Sequence, residues 1–438
     1  MSQARRTTRP RAHRRAAKTA WERIKEHPLA RVGPGLITGV ADDDPSGIAT
    51  YSQAGAQFGF AMLWTMPLTF PLMAAVQSMC ARIGRVTGKG LAANIKTALP
   101  PIVLQGVVLL LLVANILNIA ADVAAMGETA ELVSGIDRHA LTLVFVLVTV
   151  VLQVFVPYHR YVYFLKWLTL SLLSYVAVLF TVHVPWGEVL LRTVWPKLTL
   201  DADAATVVVG VFGTTISPYL FFWQASEEVE DMQKGRRRAR PLVRDARSAS
   251  RELRRIGWDT WSGMFYSNIV AYFIILATAV TLNRAGVTDI ETAAQAASAL
   301  RPLAGDFAYI LFALGILGVG LIGVPVLAGS GAYALCEAMG WKWGLERRAT
   351  DARGFYGVIA ASVLLGLVIQ YSPISPMKAL FWSAVINGIV AVPLLAVIVI
   401  LVSKRSVMGD YTASRPIIAL GWVTTIVMGI AAVRMFMP

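Results

Sequence analysis

The chain has 438 residues, 56% of them hydrophobic and 15% charged, with a mean hydropathy of +0.61. Soluble domains carry about 25% charged residues, so these numbers exclude a water-soluble globular protein and indicate a polytopic membrane protein. The net charge of +14 does not indicate nucleic-acid binding, because the basic residues are placed by the apolar runs rather than in one patch.

In chain order, a basic arm at 1–32 comes first, without the apolar h-region of a cleavable signal peptide. Runs of about 20 apolar residues follow, each able to cross a hydrocarbon core of about 30 Å. They predict eleven spans, at about 33–54, 60–81, 101–126, 141–157, 163–184, 204–226, 258–282, 305–335, 354–371, 378–402 and 416–436. The arm and the segments 82–96, 158–166, 227–257, 336–353 and 403–415 hold 33 of the 40 Lys and Arg residues. This alternation predicts a plasma-membrane protein with a cytoplasmic N-terminus and an external C-terminus. The arm and the 227–257 loop are placed to touch anionic lipid, at about 1 kcal/mol per residue. The two cysteines, Cys80 and Cys336, have no partner spacing and read as core packing.

The first span contains Asp42-Asp43-Asp44-Pro45-Ser46-Gly47. A carboxylate at membrane depth costs about 2.5–3.5 kcal/mol on insertion scales and usually marks an ion or proton path. Pro45 lacks an N–H and disfavours helix at the residue before it, so the helix opens at Asp44 and exposes carbonyls beside the acid. Asp44, next to the break, reads as a cation ligand. Successive helical residues turn by about 100°, so Asp42 and Asp43 cannot both share its ion. They are vestibule acids or structural partners of a basic residue. Pro71, Pro325 and Pro393 read as ordinary kinks.

The sixth span carries a second break, Gly213-Thr214-Thr215-Ile216-Ser217-Pro218-Tyr219. Interrupted helices at corresponding positions of two halves point to an inverted-repeat transporter with a midplane site. The reading is an all-α membrane protein of 5+5 inverted spans, 33–184 and 204–403, followed by a linker and an eleventh helix at 404–438. In the tenth span Asn387 is either a polar member of the site or an interhelical hydrogen bonder. No His-Glu-x-x-His spacing or nucleophile elbow occurs, and the Gly-x-Gly strings lie inside spans, so an enzyme and a nucleotide site are not expected.

Asp44-Pro45-Ser46-Gly47-Ile48, Gln53-Ala54-Gly55-Ala56, Trp64 and Gly84-Arg85-Val86-Thr87-Gly88-Lys89 together resemble the Nramp family of divalent-metal transporters. That family shows Asp-Pro-Gly-Asn in the first span and Val-Thr-Gly-Lys after the second. The resemblance implies a LeuT-like fold, alternating access, no cofactor beyond the transported ion, and a monomer. It places the family's aspartate ligand on Asp44 and its carbonyl-donating position on Thr214. The family's asparagine is Gly47 here, its methionine is Ser217, and its histidine is Tyr219. Asp122 matches an acid of the proton pathway, but the companion glutamate is Ala125, with Glu128 further along.

Losing a thioether removes the preference for late transition metals, since hydroxyl, carbonyl, carboxylate and water suit Mg, Ca and Mn. Mg²⁺ keeps several waters and needs an oxygen-lined, roomy site, and Gly47 in place of asparagine and Ser217 in place of methionine both trade volume for space. The pattern resembles the Nramp-related magnesium transporters, and predicts Mg²⁺ before Mn²⁺ with weak or no proton coupling. The alternatives are an ordinary proton-coupled Mn²⁺/Fe²⁺ transporter, an amino-acid transporter on the same scaffold, and a metal-sensing membrane protein that moves nothing.

Overall fold

A computed structural model describes residues 34–156, 165, 168–196, 201–233, 240–244, 249–345, 347–369 and 374–437. The basic arm, the 158–164 connection and parts of the 227–257 loop lie outside them. The described residues form helices without strands. The first span is two half-helices, α1 (Pro34–Asp42) and α2 (Pro45–Phe58), and the second is α3 (Thr65–Thr87). The short α4 (Leu91–Ala98) leads to α5 (Pro101–Ser134) and α6 (Arg138–Phe155). The described part of the fifth span is a 3-10 turn at Leu168–Leu172 running into α7 (Leu173–Val178), followed by α8 (Trp186–Val194). The sixth span is again split, into α9 (Ala202–Thr215) and α10 (Pro218–Gln233).

Beyond it come α11 (Ala249–Thr278), the short α12 (Ala293–Ala297) and α13 (Arg301–Ala304), and the long α14 (Ala308–Met339). The chain closes with α15 (Arg353–Ile369), α16 (Pro376–Ser403), α17 (Arg405–Met408) and α18 (Arg415–Arg434). Each predicted span thus meets a helix or a split pair. The short helices α4, α8, α12 and α13 were not expected, because pieces of four to nine residues give hydropathy too little length to register.

Local chemistry sets the helix ends. α3, α5 and α14 stop at Gly88, Gly135 and Gly340, whose φ values of 69°, 70° and 74° are left-handed and cost glycine nothing. α6 starts where the Asp137 side chain accepts the Ala140 N–H. Pro71, Pro325 and Pro393 sit inside continuous helices, as expected of kinks.

Without a hydrophobic drive between helices in lipid, close approach relies on small residues. α1 lies on α11 through Gly35 against Thr260 and Gly39 against the Gly263 carbonyl, and α9 lies on α16 through Gly213 against Ala384 and Gly388. A β-carbon at any of these three glycines would collide with backbone. Cys80 and Cys336 are free thiols, Cys80 fully buried in the core.

Four of the basic segments meet at one end of the bundle. Arg85 and Arg255 share Glu252, and Arg255 also holds Glu228 at 2.9 Å. Lys96 donates to the Ala338 carbonyl, Arg82 to the Tyr411 and Thr412 carbonyls, and Lys404 to the Ala98 carbonyl. We expect Gly213→Leu, which drives a side chain into α16, to cost about 1–3 kcal/mol and lower the unfolding temperature of the solubilised protein. Gly106→Leu, where a β-carbon meets nothing within 4 Å, should leave that temperature unchanged.

Candidate metal centre

The first break is built by Asp44. Its backbone is extended (φ −73°, ψ 173°), and its side chain caps α2 by accepting the Gly47 N–H at 2.8 Å, with Pro45 at the first helical position. The same Oδ1 accepts the Ser46 hydroxyl at 2.6 Å. Oδ2 accepts the Asn118 amide of α5 and the Tyr219 hydroxyl of α10, each at 3.1 Å. Tyr219 also reaches the Ala41 carbonyl at the end of α1, at 3.3 Å. One carboxylate therefore joins both breaks and α5.

The second break lies directly opposite. A β-carbon on Gly47 would stand 3.1 Å from the Thr214 hydroxyl and 3.3 Å from the Tyr51 ring, so these two residues close over the position where the family carries asparagine. The expected extra room at Gly47 is therefore filled in this conformation. Ser217 turns its hydroxyl back onto the Gly213 and Thr214 carbonyls, at 2.8 and 2.6 Å. Its oxygen keeps acceptor capacity. On the far side of the acid, a β-carbon on Gly323 of α14 would lie 3.1 Å from the Asp44 β-carbon, which accounts for the glycine-rich middle of that helix.

The expected site residues do not all come together. Asp44, Gly47, Thr214 and Tyr219 come together at the breaks, and Asp122 lies in electrostatic range of the Asp44 carboxylate. Asp122 is fully buried. Asp42 and Asp43 turn toward α11, where both accept from the single Ser267 hydroxyl, Asp43 at 3.0 Å. They are 0% and 2% exposed, and among the described residues neither forms an ion pair. Asn387 is fully buried with neither amide atom hydrogen bonded, so it does not act as an interhelical bonder. Glu128 lies apart: its Oε1 accepts the Ala293 N–H of α12 at 3.0 Å, in the loop region opposite the basic end.

Two contributors were not anticipated. Asn118 hydrogen bonds Asp44, and its carbonyl oxygen in turn accepts the Ser383 hydroxyl of α16 at 2.6 Å. The spacing Asn115, Asn118, Asp122, at three and four residues along α5, was the available signal, since it puts three polar groups on one face of an apolar helix.

Electrostatically the centre is one-sided. Asp42, Asp43, Asp44 and Asp122 are all buried, and no basic side chain among the described residues pairs with any of them. The C-terminal ends of α1 and α9 add the negative ends of two half-helix dipoles. The positive end of α2 is taken by Asp44 itself. Among the described residues no group of three or more His, Cys, Asp or Glu side chains has metal-holding geometry, so an ion here would draw on hydroxyl and carbonyl oxygens beside a single carboxylate.

Two split helices meeting at a buried polar centre define a membrane protein of the LeuT fold. Likeness to solved structures agrees: a manganese transporter of Eremococcus coleocola, in complex with an aromatic bis-isothiourea compound, superposes with a TM-score of 0.71 at 16% identity, covering 97% of this chain and 87% of that one. MhsT in complex with L-phenylalanine superposes with a TM-score of 0.58 at 12% identity, covering 93% and 98%. The family model described as natural resistance-associated macrophage protein-like matches residues 35–438, and the chain belongs to the Nramp family. Among its relatives are divalent metal cation transporters named MntH. The one from Acidiphilium cryptum is 27% identical, covering 86% of each chain, and the one from Verminephrobacter eiseniae is 29% identical, covering 81% of each.

We expect Tyr219→Phe, which removes one of four hydrogen bonds to Asp44, to destabilise the protein by about 1 kcal/mol. Thermal unfolding of the solubilised protein measures this, and the loss should vanish when the variant is made in an Asp44→Ala background.

Proposed function

We propose that this chain is a secondary transporter that imports hard divalent cations, Mg²⁺ first and Mn²⁺ second, with weak or no proton coupling. The observation that carries the cation reading is the buried Asp44 carboxylate set between the two breaks with no basic partner among the described residues. A buried charge left unpaired is strongly unfavourable, and a divalent cation is the partner such a centre is built to receive. Asp44 is the central ligand, joined by the Thr214 carbonyl and the Ser217 hydroxyl, with Gly47 leaving the approach free of a side chain. Asp42, Asp43 and Asn387 are proposed as further polar groups of the centre, outside the ion's direct ligands. The relatives named divalent metal cation transporters support the broader class, and no enzymatic role is proposed.

The preference for Mg²⁺ rests on Ser217. With no thioether, the donors are all oxygen, which suits ions that hold water tightly. An amino-acid substrate is disfavoured because its carboxylate would need the N-terminal end of α2, and Asp44 already caps it. The weak proton coupling rests on two substitutions, Tyr219 at the family's histidine and Ala125 at its glutamate, with Asp122 the remaining acid of that path and Glu128 tied to α12. Uptake would then be driven by the membrane potential, about 2.3 kcal/mol per charge per 100 mV and about twice that for a divalent ion. The basic end, with the N-terminus, is proposed to face the cytoplasm, where it meets anionic lipid, and the C-terminus the outside.

A second reading, a proton-coupled Mn²⁺ transporter, is favoured by the named manganese transporter of the same fold. Liposome flux separates the two. Wild type should carry Mg²⁺ and Mn²⁺, and Asp44→Ala should carry neither; a mutant as fast as wild type removes the assignment. An internal pH dye should stay flat during uptake, whereas acidification strictly dependent on added metal selects the second reading. Ser217→Met should raise Mn²⁺ or Cd²⁺ flux relative to Mg²⁺ by about tenfold, the effect of one good ligand. An unchanged ratio removes the thioether argument.

A further inference from the structure

A cleft of about 170 Å³ lies between α5, α6 and α16, separate from the metal centre. Ala120, Ala121 and Ala124 of α5 form one wall, with Trp382 of α16 across from them. Trp382 is 49% exposed and Ile374, at the rim, 57%, so the cleft opens at the surface. That surface is apolar: α6 exposes Leu143, Val144, Leu147 and Val151 beside it. Arg138 and His139, at the start of α6, stand over the mouth. The floor is Ser383, whose hydroxyl bonds Asn118, the amide that holds Asp44.

We propose that this cleft binds one phospholipid, its phosphate on Arg138 and one acyl chain inserted along the alanine wall toward Ser383. The charge at the mouth selects the head group. The Arg138 side chain is exposed and makes no ion pair among the described residues, and an arginine in that position recognises a phosphodiester in bidentate geometry. Glu128 and Glu131 on α5 lie in electrostatic range, Glu131 accepting the Arg138 backbone N–H at 3.3 Å. A free phosphate would meet those carboxylates with nothing to offset the repulsion, whereas a lipid brings apolar burial at about 0.8 kcal/mol per methylene. The three alanines leave a smooth channel on a helix that is otherwise rich in Leu and Val.

The lipid assignment stands apart from the metal assignment, because its test reads lipid retention. Protein purified in a maltoside detergent is titrated with phosphatidylglycerol and, separately, with diacylglycerol of the same chains, and bound lipid is counted by native mass spectrometry. Wild type and the surface control Arg434→Gln should each retain one phosphatidylglycerol, and diacylglycerol much less. Arg138→Gln should weaken that retention about fivefold, the effect of one basic residue at a lipid head group. Ala124→Leu, which narrows the channel, should weaken it as well. Should Ala124→Leu fail to fold, Arg138→Gln at the surface still decides. Retention unchanged in Arg138→Gln, equal retention of diacylglycerol, or a cleft that holds detergent only, overturns the proposal.

Discussion

The structure depends on where the Asp44 carboxylate spends its four acceptor positions. Two go to its own half-helix, capping α2 through Gly47 and Ser46; two go outward, to Asn118 and Tyr219. A span interrupted at mid-membrane leaves backbone groups that water cannot reach, each expensive if unpaired. Asp44 satisfies part of that demand at the first break, while Ser217 takes up the Gly213 and Thr214 carbonyls at the second. The breaks persist because side chains at the site hold them open. Structure and chemistry are therefore not separable here: the group best placed to meet an ion is also the one that starts a helix.

Around that centre, packing is arranged by size. α1 meets α11, α9 meets α16, and α14 meets Asp44 itself through glycines, so backbones approach where larger residues would hold them apart. The opposite tactic appears at the basic end, where Arg85, Arg255, Glu228 and Glu252 form a chain of charged contacts among α3, α10 and α11. Dispersion contacts between small residues tolerate sliding, whereas paired charges have a definite register.

Much of this was legible in the sequence because membrane insertion imposes blunt rules. Apolar length located the spans, Pro45 and Pro218 located the breaks, and the clustering of Lys and Arg anticipated the segments that meet at one end. What was not legible depended on rotation about helix axes or on single rotamers. Asp42 and Asp43 could be placed near the break, yet that both would turn to one serine of α11 follows from how α1 seats its glycines on that helix. Gly47 reads as added space in sequence, but Tyr51 and Thr214 move into it. The role of Asn118 was not legible because an amide in an apolar helix, even with Asn115 and Asp122 on the same face, looks like ordinary interhelical glue until its partner is known.

The length of α5 has a mechanical meaning. Its 34 residues span about 51 Å at 1.5 Å per residue, well beyond the about 30 Å of hydrocarbon it crosses. Near its middle it presents Asn118 and Asp122 to the centre; about three turns from Asn118, Glu128 holds the start of α12 in the loop region. No loop or kink lies between these points, so the helix acts as one stiff beam. A tilt imposed at either place is delivered to the other without loss, and the loop over the bundle and the amide on Asp44 move as two points on a single lever.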